Sequence, residues 1–296
     1  MIQIRRILCP VDFSPFARRA LDHAAVLSRW YEAEITVLHV SPTMPAVFGL
    51  EPMMTEAALA PFDRERLGRE LLTFAGNTVE MKPTPPLVVK AGSPARTILE
   101  YAAEMKADLV VVGTHGRTGF ERLMLGSVTE KVVRRAPCPV LTVPRGAEDV
   151  PERPTFGRIL CGVDFSDASL RAAEYALSLA QEAEGRVSLV HVVESLPDGL
   201  ASYPGFDLNH YRSTTIADAR IKLGALVTDE VRTWCEPDTK IVMGKPYEAL
   251  LRLASDDRSD LIVLGVHGRA LDRMLFGSTA QAVVRQATCP VLTIRP

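Results

Sequence analysis

The sequence contains an internal duplication. The segment RRILCPVDFS at 5–14 returns as GRILCGVDFS at 157–166, and ADLVVVGTHGR at 107–117 returns as SDLIVLGVHGR at 259–269, both 152 residues later. A single offset over most of the chain predicts two copies of one domain. The segment PRGAEDVPERPTF at 144–156 is rich in proline and charge, as expected of a linker. We therefore assign residues 1–145 to a first copy and residues 156–296 to a second.

Each copy alternates short apolar segments with helix-start signals. In the first copy the apolar segments are ILCPV, EITVLHV, PLVVK, DLVVVG and PVLTV, as expected of strands buried on both faces of a parallel sheet. Helix starts are predicted at Ser14-Pro15 and Ser93-Pro94, and from capping boxes at 127–130 and 278–281. Five strands and four crossovers predict an α/β, Rossmann-like, doubly wound sheet in each copy. Its ligand cleft should lie beyond the strand carboxyl ends, where the winding reverses.

Composition excludes several classes of function. A formal net charge of −2, with basic residues dispersed along 296 residues, gives no footprint for nucleic acid or for an anionic membrane. No apolar run approaches the roughly 20 residues that span a bilayer, and the first residues enter a strand pattern without a signal peptide. We therefore expect a cytoplasmic protein. Its 5 cysteines form no C-x-x-C motif, which favours reduced core thiols over disulfides or a zinc site.

Proline indicates how the two copies assemble. Pro139 and Pro290 begin PVLTV and PVLTI, and proline at a strand start is typical of an edge strand. Because an unpaired apolar edge promotes aggregation, we predict that the copies pair these edges in an intramolecular pseudo-dimer. An isolated first copy should then self-associate. A further homodimer of the whole chain remains an open alternative.

The most informative motif is a loop with glycines at both ends. Gly113 and Gly116 follow the fourth predicted strand, whereas Gly126 and Ser127 open the last predicted helix. Glycine permits positive φ and close approach of a ligand, and a helix start attracts an anion because its N–H groups are unpaired. We expect the two ends to enclose one phosphate chain, with RTGFERLML at 117–125 looping outward. The alternative of a Walker A loop at 157–162 fails, because Val-Asp follows where Lys-Ser or Lys-Thr is required.

This G-x2-G-x9-G-S pattern, behind a strand ending in Pro10-Val11-Asp12 and before CPVLTV, resembles the universal stress protein family. The resemblance covers nearly all of both copies and implies a tandem member that binds ATP. It implies that Asp12 and Val40 lie by the adenine and ribose, with Pro10 and Val11 at the same strand end. It places these residues around the phosphates: Gly113, His115, Gly116, Arg117, Gly126, Ser127, Val128 and Thr129.

The second copy carries the same motif with one residue fewer between its glycines. Eight residues lie between Gly268 and Gly277, against 9 between Gly116 and Gly126, and the deletion removes a glycine beside the position of Gly119. A shorter loop has fewer ways to bring its ends round the same phosphates. We therefore predict unequal sites, with the first copy tighter. The candidate residues of the second copy are Val163, Asp164, Val192, Gly265, His267, Gly268, Gly277, Ser278 and Thr279.

Several of these residues have a second interpretation. Ser127 is also a helix cap in the sequence pattern, and Asp12 also favours the turn into Ser14-Pro15. His39, His115 and Asp12 are conceivable metal ligands, although their spacing matches no dedicated site, and magnesium arriving with ATP is the stronger alternative. The Met-rich segment 43–62 is interpreted either as surface-loop packing or as a lid or partner site.

The sequence holds no recognised catalytic motif. H-E-x-x-H, G-x-S-x-G and a second acidic motif for magnesium are all missing from it. We therefore expect an ATP-binding regulator of the stress response, whose bound nucleotide sets a conformation sensed by an unknown protein partner. Two alternatives stay open: a slow ATPase or other nucleotide-acting enzyme, and a nucleotide-free interaction scaffold.

Overall fold

The computed structural model describes residues 2–42, 63–76, 85–114, 125–144, 156–194, 207–266 and 277–295. They form two compact units, Gln3–Arg145 and Gly146–Pro296, each containing both helices and strands. We call these the N-terminal and the C-terminal unit.

The N-terminal unit is built on a five-stranded parallel sheet in the order β3-β2-β1-β4-β5, so the predicted doubly wound fold is confirmed. The winding reverses between β1 and β4, which is the place where such sheets bind ligands. Its elements, in chain order, are β1 (Arg6–Val11), α1 (Pro15–Tyr31), β2 (Glu34–Pro42), α2 (Arg64–Gly76), β3 (Leu87–Gly92), α3 (Pro94–Glu104), β4 (Leu109–Gly113), α4 (Ser127–Arg135) and β5 (Val140–Val143).

The C-terminal unit repeats this topology in the order β8-β7-β6-β9-β10, again with every pair parallel. The winding reverses between β6 and β9. Its elements are β6 (Arg158–Gly162), α5 (Asp167–Glu182), β7 (Arg186–Val193), α6 (Leu208–Ala225), α7 (Asp229–Trp234), β8 (Glu236–Met243), α8 (Pro246–Asp256), β9 (Leu261–Gly265), α9 (Ser278–Gln286) and β10 (Val291–Ile294).

Burial explains why the apolar segments form central strands. In β4 every residue is buried, and in β1 all residues after Arg6 are buried, because helices cover both faces of a parallel sheet. One carboxylate also ties the amino ends of these strands together. Asp108 accepts hydrogen bonds from the backbone N–H groups of Arg5 and Arg6, each at 2.9 Å. Asp260 accepts the corresponding bond from Arg158 at 2.9 Å.

The cysteines lie inside the two units as free thiols, as predicted. Cys9, Cys138, Cys161 and Cys235 are buried and Cys289 is half-buried. Burial raises the pKa of the Cys9 and Cys161 thiols far above the ordinary value, and it raises the pKa of Cys289 to about 12. All three therefore stay protonated, and thiolate chemistry is suppressed.

Strands β5 and β10 each stand last in the order of their own unit. Their predicted pairing with each other stays a prediction.

Candidate functional site

Two loop ends meet where the N-terminal sheet reverses its winding. Strand β1 ends at Val11 and is followed by Asp12, while the neighbouring strand β4 ends at Gly113. Helix α4 begins beside the end of β4. This corner therefore joins the acidic residue and the glycine loop that the sequence analysis treated as parts of one site.

Asp12 is held in place by the turn that leads into helix α1. Its Oδ1 accepts a hydrogen bond from the Ser14 N–H at 3.0 Å, and the Ser14 hydroxyl in turn caps the helix by accepting from the Ala17 N–H at 3.2 Å. The interpretation that Asp12 favours the turn into Ser14-Pro15 is thus confirmed. Within the described ranges Oδ1 is the one Asp12 oxygen with a hydrogen bond, so Oδ2 remains available to a ligand hydroxyl.

The residue after this aspartate adopts a backbone conformation that the sequence did not predict. Phe13 has φ 63° and Phe165, at the same place in the C-terminal unit, has φ 62°. A bulky residue in the left-handed region is strained, and such strain often marks functional sites. The sequence signal for it is the triplet Asp-Phe-Ser, which occurs at the end of the first strand of both copies.

A histidine supports the strained phenylalanine in each unit. The ring of Phe13 lies on the imidazole of His39, with centroids 4.3 Å apart, and Phe165 lies on His191 at 4.6 Å. His39 Nδ1 donates to the Val11 carbonyl at 2.8 Å. The backbone oxygen can only accept, so Nδ1 carries the proton. His39 is therefore a packed, oriented side chain. Among the described residues no cluster of His, Cys, Asp or Glu has the arrangement of a metal site, and His115 lies outside them.

The surroundings of the two phenylalanines differ. In the N-terminal unit Phe74 of α2 meets Phe13 edge-on at 5.7 Å, and the Arg18 guanidinium covers the Phe74 ring at 4.0 Å. In the C-terminal unit the Lys222 ammonium stands 5.6 Å from the Phe165 ring. The same corner is therefore backed by an aromatic ring in one unit and approached by a cation in the other.

The start of helix α4 has no side-chain cap. Gly126 is the N-cap residue and Ser127 the first helical residue, so the predicted capping box at 127–130 is wrong. The box at 278–281 is wrong for the same reason, because Gly277 is the N-cap of α9. A glycine has no side chain with which to cap, so the first N–H groups of α4 and α9 lack the side-chain acceptor that Ser14 supplies to α1.

The ends of the glycine loop are joined by two hydrogen bonds. The Gly126 N–H donates to the Thr114 carbonyl at 2.8 Å, and the Thr129 hydroxyl donates to the Gly113 carbonyl at 2.7 Å. Among the described residues of the C-terminal unit, only the backbone hydrogen bond has a counterpart. It runs from the Gly277 N–H to the Val266 carbonyl at 2.9 Å. In both units the start of the last helix is thus fixed directly beside the end of the fourth strand.

Of the two predicted reasons for Gly113, positive φ is wrong, and close approach of a ligand stays a prediction. Among the described glycines only Gly92 and Gly244 have positive φ, so positive φ does not explain Gly113. A Cβ there would lie 3.1 Å from backbone atoms of Phe16 in α1, and one at Gly265 would lie 2.6 Å from the Ser169 N–H nitrogen. Both glycines let the strand end pass close to the first helix of the unit.

The remaining candidates divide into described and undescribed residues. Val40, near the end of β2, is buried, and Val192 is half-buried at the same place in β7. Pro10 and Val11 are buried in β1, whereas Ser127 is exposed and Val128 half-buried at the start of α4. Outside the described residues lie His115, Gly116, Arg117, His267 and Gly268, the greater part of 117–125, and the Met-rich segment 43–62.

Comparison with known proteins decides the family. The model of the universal stress protein family matches residues 3–144 and again residues 155–295. The chain belongs to the universal stress protein family. It is a tandem member, as the duplication predicted, and membership supports a role in the stress response.

Relatives match one or both halves of this family member. A universal stress protein of Methanocaldococcus jannaschii is 35% identical over 142 residues, which are 47% of this chain and 81% of that protein. One of Mycobacterium tuberculosis is 30% identical over 210 residues, which are 69% of this chain and 66% of the relative. A crystal structure of a universal stress protein from Archaeoglobus fulgidus, 22% identical, superposes with a TM-score of 0.70 and covers 99% of this chain and 97% of that one. At that identity the superposition supports the fold.

None of the helices in the described ranges is both long and apolar enough to cross a membrane.

Proposed function

We propose that the N-terminal unit binds ATP where β1 and β4 end, and that the protein is a nucleotide-dependent regulator in the stress response. The observation that carries the proposal is the start of α4. Its first N–H groups have no side-chain cap, and a hydrogen bond of 2.8 Å from Gly126 to Thr114 holds them beside the end of β4. Unpaired N–H groups at the positive end of a helix dipole favour a phosphate.

The other described residues would then orient the nucleoside. Asp12 is fixed by Ser14 through one oxygen and would accept a ribose hydroxyl through the other. Val40, close to the end of the neighbouring strand β2, would give an apolar contact to the adenine. His115, Gly116 and Arg117 complete the proposed phosphate site.

Magnesium would enter this site as the partner of the ATP phosphates. The acidic residue at the corner is Asp12, and one of its oxygens is already used by the Ser14 N–H. A carboxylate so occupied is better suited to a ribose than to a dedicated metal site. We accordingly propose no resident metal for the protein.

The C-terminal unit would provide a second, weaker site. It retains Asp164, hydrogen-bonded to the Ser166 N–H at 3.0 Å, and an uncapped helix start behind Gly277. It lacks one residue of the glycine loop and the hydroxyl that Thr129 supplies in the N-terminal unit. A regulator of this kind would act in the cytoplasm on a protein partner that senses the nucleotide.

The proposal is tested first by the small molecule that the protein holds. Freshly purified full-length chain is denatured and the released compounds are identified by mass spectrometry, with ATP expected. Phosphate release under steady-state conditions then separates a regulator, which keeps its nucleotide for many minutes, from an enzyme, which must release product. Sustained hydrolysis of ATP would show that the protein is an ATPase and not the proposed regulator.

Substitution of the glycine loop gives the quantitative test. Gly126→Val puts a branched side chain beside the helix N–H groups, and the loss of two charge-assisted contacts should weaken ATP binding on the order of a hundredfold. Gly76→Val is a matched control, because a Cβ there meets nothing within 4 Å. Isothermal titration calorimetry measures both. If the folded Gly126→Val variant binds ATP with unchanged affinity, the start of α4 is not the phosphate site.

A further inference from the structure

We infer that Thr129 is a positioning residue of the phosphate site, and that alanine at the corresponding place makes the C-terminal site the weaker one. The inference rests on the proposed ATP site and adds a specific cause for inequality between the units. It concerns a side chain that supports the site through a backbone atom, and it is independent of the deleted loop residue.

The contact of Thr129 is buried and spans the motif. Thr129 is the third residue of α4, the residue is 4% exposed, and its hydroxyl donates to the Gly113 carbonyl at 2.7 Å. The two residues are 16 positions apart, on opposite sides of the glycine loop. A hydroxyl has one proton to donate, so this proton is directed to the strand and not to a ligand.

The bond fixes the helix start relative to the strand end. Without it, the link between the loop ends is the backbone bond from Gly126 to Thr114, about which the first turn of the helix can shift. With it, a side chain of the first turn is attached to Gly113 as well. Groups held in place before a ligand arrives bind it more tightly, because less freedom is lost on binding.

The C-terminal unit lacks this second attachment. Ala280 stands at the third position of α9, is 2% exposed and has no hydroxyl. The backbone bond from Gly277 to Val266 is retained at 2.9 Å. The two helix starts therefore share one link to their strands and differ in the other, which makes the pair of positions a natural reciprocal test.

The experiment uses the full chain with one site disabled at a time. In a Gly277→Val background, Thr129→Val keeps the branched shape of the side chain and removes the hydroxyl. We expect ATP affinity at the N-terminal site to fall by about fivefold to tenfold, the effect of one hydrogen bond, and Thr129→Ser to restore it. In a Gly126→Val background, Ala280→Thr should tighten ATP binding at the C-terminal site.

Adenosine separates positioning from a general loss of structure. It lacks phosphates, so Thr129→Val should leave its affinity unchanged while ATP binding weakens. Equal losses for ATP and adenosine, or no loss for either, would overturn the inference. If the parent chain binds ATP and Gly126→Val removes binding at the N-terminal site while Thr129→Val has no effect there, the inference fails and the proposed function stands. If the parent chain does not bind ATP, both fail.

Discussion

The N-terminal and C-terminal units share one scaffold and differ in the side chains that fix it. Both place an aspartate at the end of the first strand, a phenylalanine with positive φ after it, and an uncapped helix start beside the fourth strand. They differ at the third residue of the last helix, where Thr129 corresponds to Ala280. The two copies therefore share the backbone geometry of this corner and differ in the side-chain hydrogen bond that joins the last helix to the fourth strand.

The interiors of the two units show compensating changes of the same kind. Pro10 in β1 corresponds to Gly162 in β6, and the space is filled in the C-terminal unit by Leu264 and Leu250, which correspond to Val112 and Ile98. His23, buried in α1, corresponds to Tyr175, buried in α5. At these positions the two units fill their interiors with different residues.

The largest expected difference between the units concerns the glycine that ends the fourth strand. Gly265→Ala places a Cβ within 2.6–2.7 Å of backbone atoms of α5, whereas Gly113→Ala meets α1 at 3.1 Å. Neither backbone can move cheaply, so we expect a loss of about 3 kcal/mol for Gly265→Ala and about 1 kcal/mol for Gly113→Ala. Urea unfolding of the full chain measures both. A reversed order would show that the C-terminal unit is the more adaptable.

A smaller difference concerns acid stability. Burial lowers the pKa of His23 to about 4, so the unfolded chain binds this proton more tightly than the folded protein. The contribution of neutral, buried His23 to the free energy of unfolding is fully present above about pH 6.5 and is lost as the pH falls towards 4. Between pH 7 and pH 5 the loss is about 2 kcal/mol. The C-terminal unit has Tyr175 at this position and should lack the effect.

Unfolding at pH 7 and at pH 5 tests this difference. His23→Gln is neutral at both values and can still donate to the Arg19 carbonyl, which His23 Nδ1 contacts at 2.7 Å. The variant should lose less stability on acidification than the parent chain. An identical loss in both would assign the acid sensitivity to other groups.

The smallest predicted effect concerns the exchange of Pro10 for Gly162. A Cβ at Gly162 would lie 2.7 Å from a methyl carbon of Leu264, which is the end of a flexible side chain, so Gly162→Ala should cost about 1 kcal/mol. Leu264→Val introduces the smaller side chain that the N-terminal unit has at the corresponding position, Val112. The double variant should therefore be more stable than the sum of the two single changes predicts, as a double-mutant cycle measures. Strict additivity would argue against compensation.

Much of the fold could be predicted from local sequence. The duplication, the five strands of each copy and the helix start at Ser14-Pro15 were predicted, because apolar periodicity and the Ser-Pro signal depend on residues close together in the chain. The capping boxes were predicted wrongly by the same logic. Ser127 has the right residue type and spacing, but the chain enters α4 one residue earlier, at Gly126, because the Gly126 N–H is bonded to Thr114.

The sequence by itself determined that the chain has two doubly wound domains, each with a glycine motif between its fourth strand and its last helix. Only the tertiary structure decided what its residues do. Gly113 is needed because α1 passes 3.1 Å from the place of its Cβ, and Thr129 bonds to a carbonyl 16 residues away. Neither contact has a local sequence signal, since each depends on how a helix is placed against a strand. That placement is set by the packing of the whole unit.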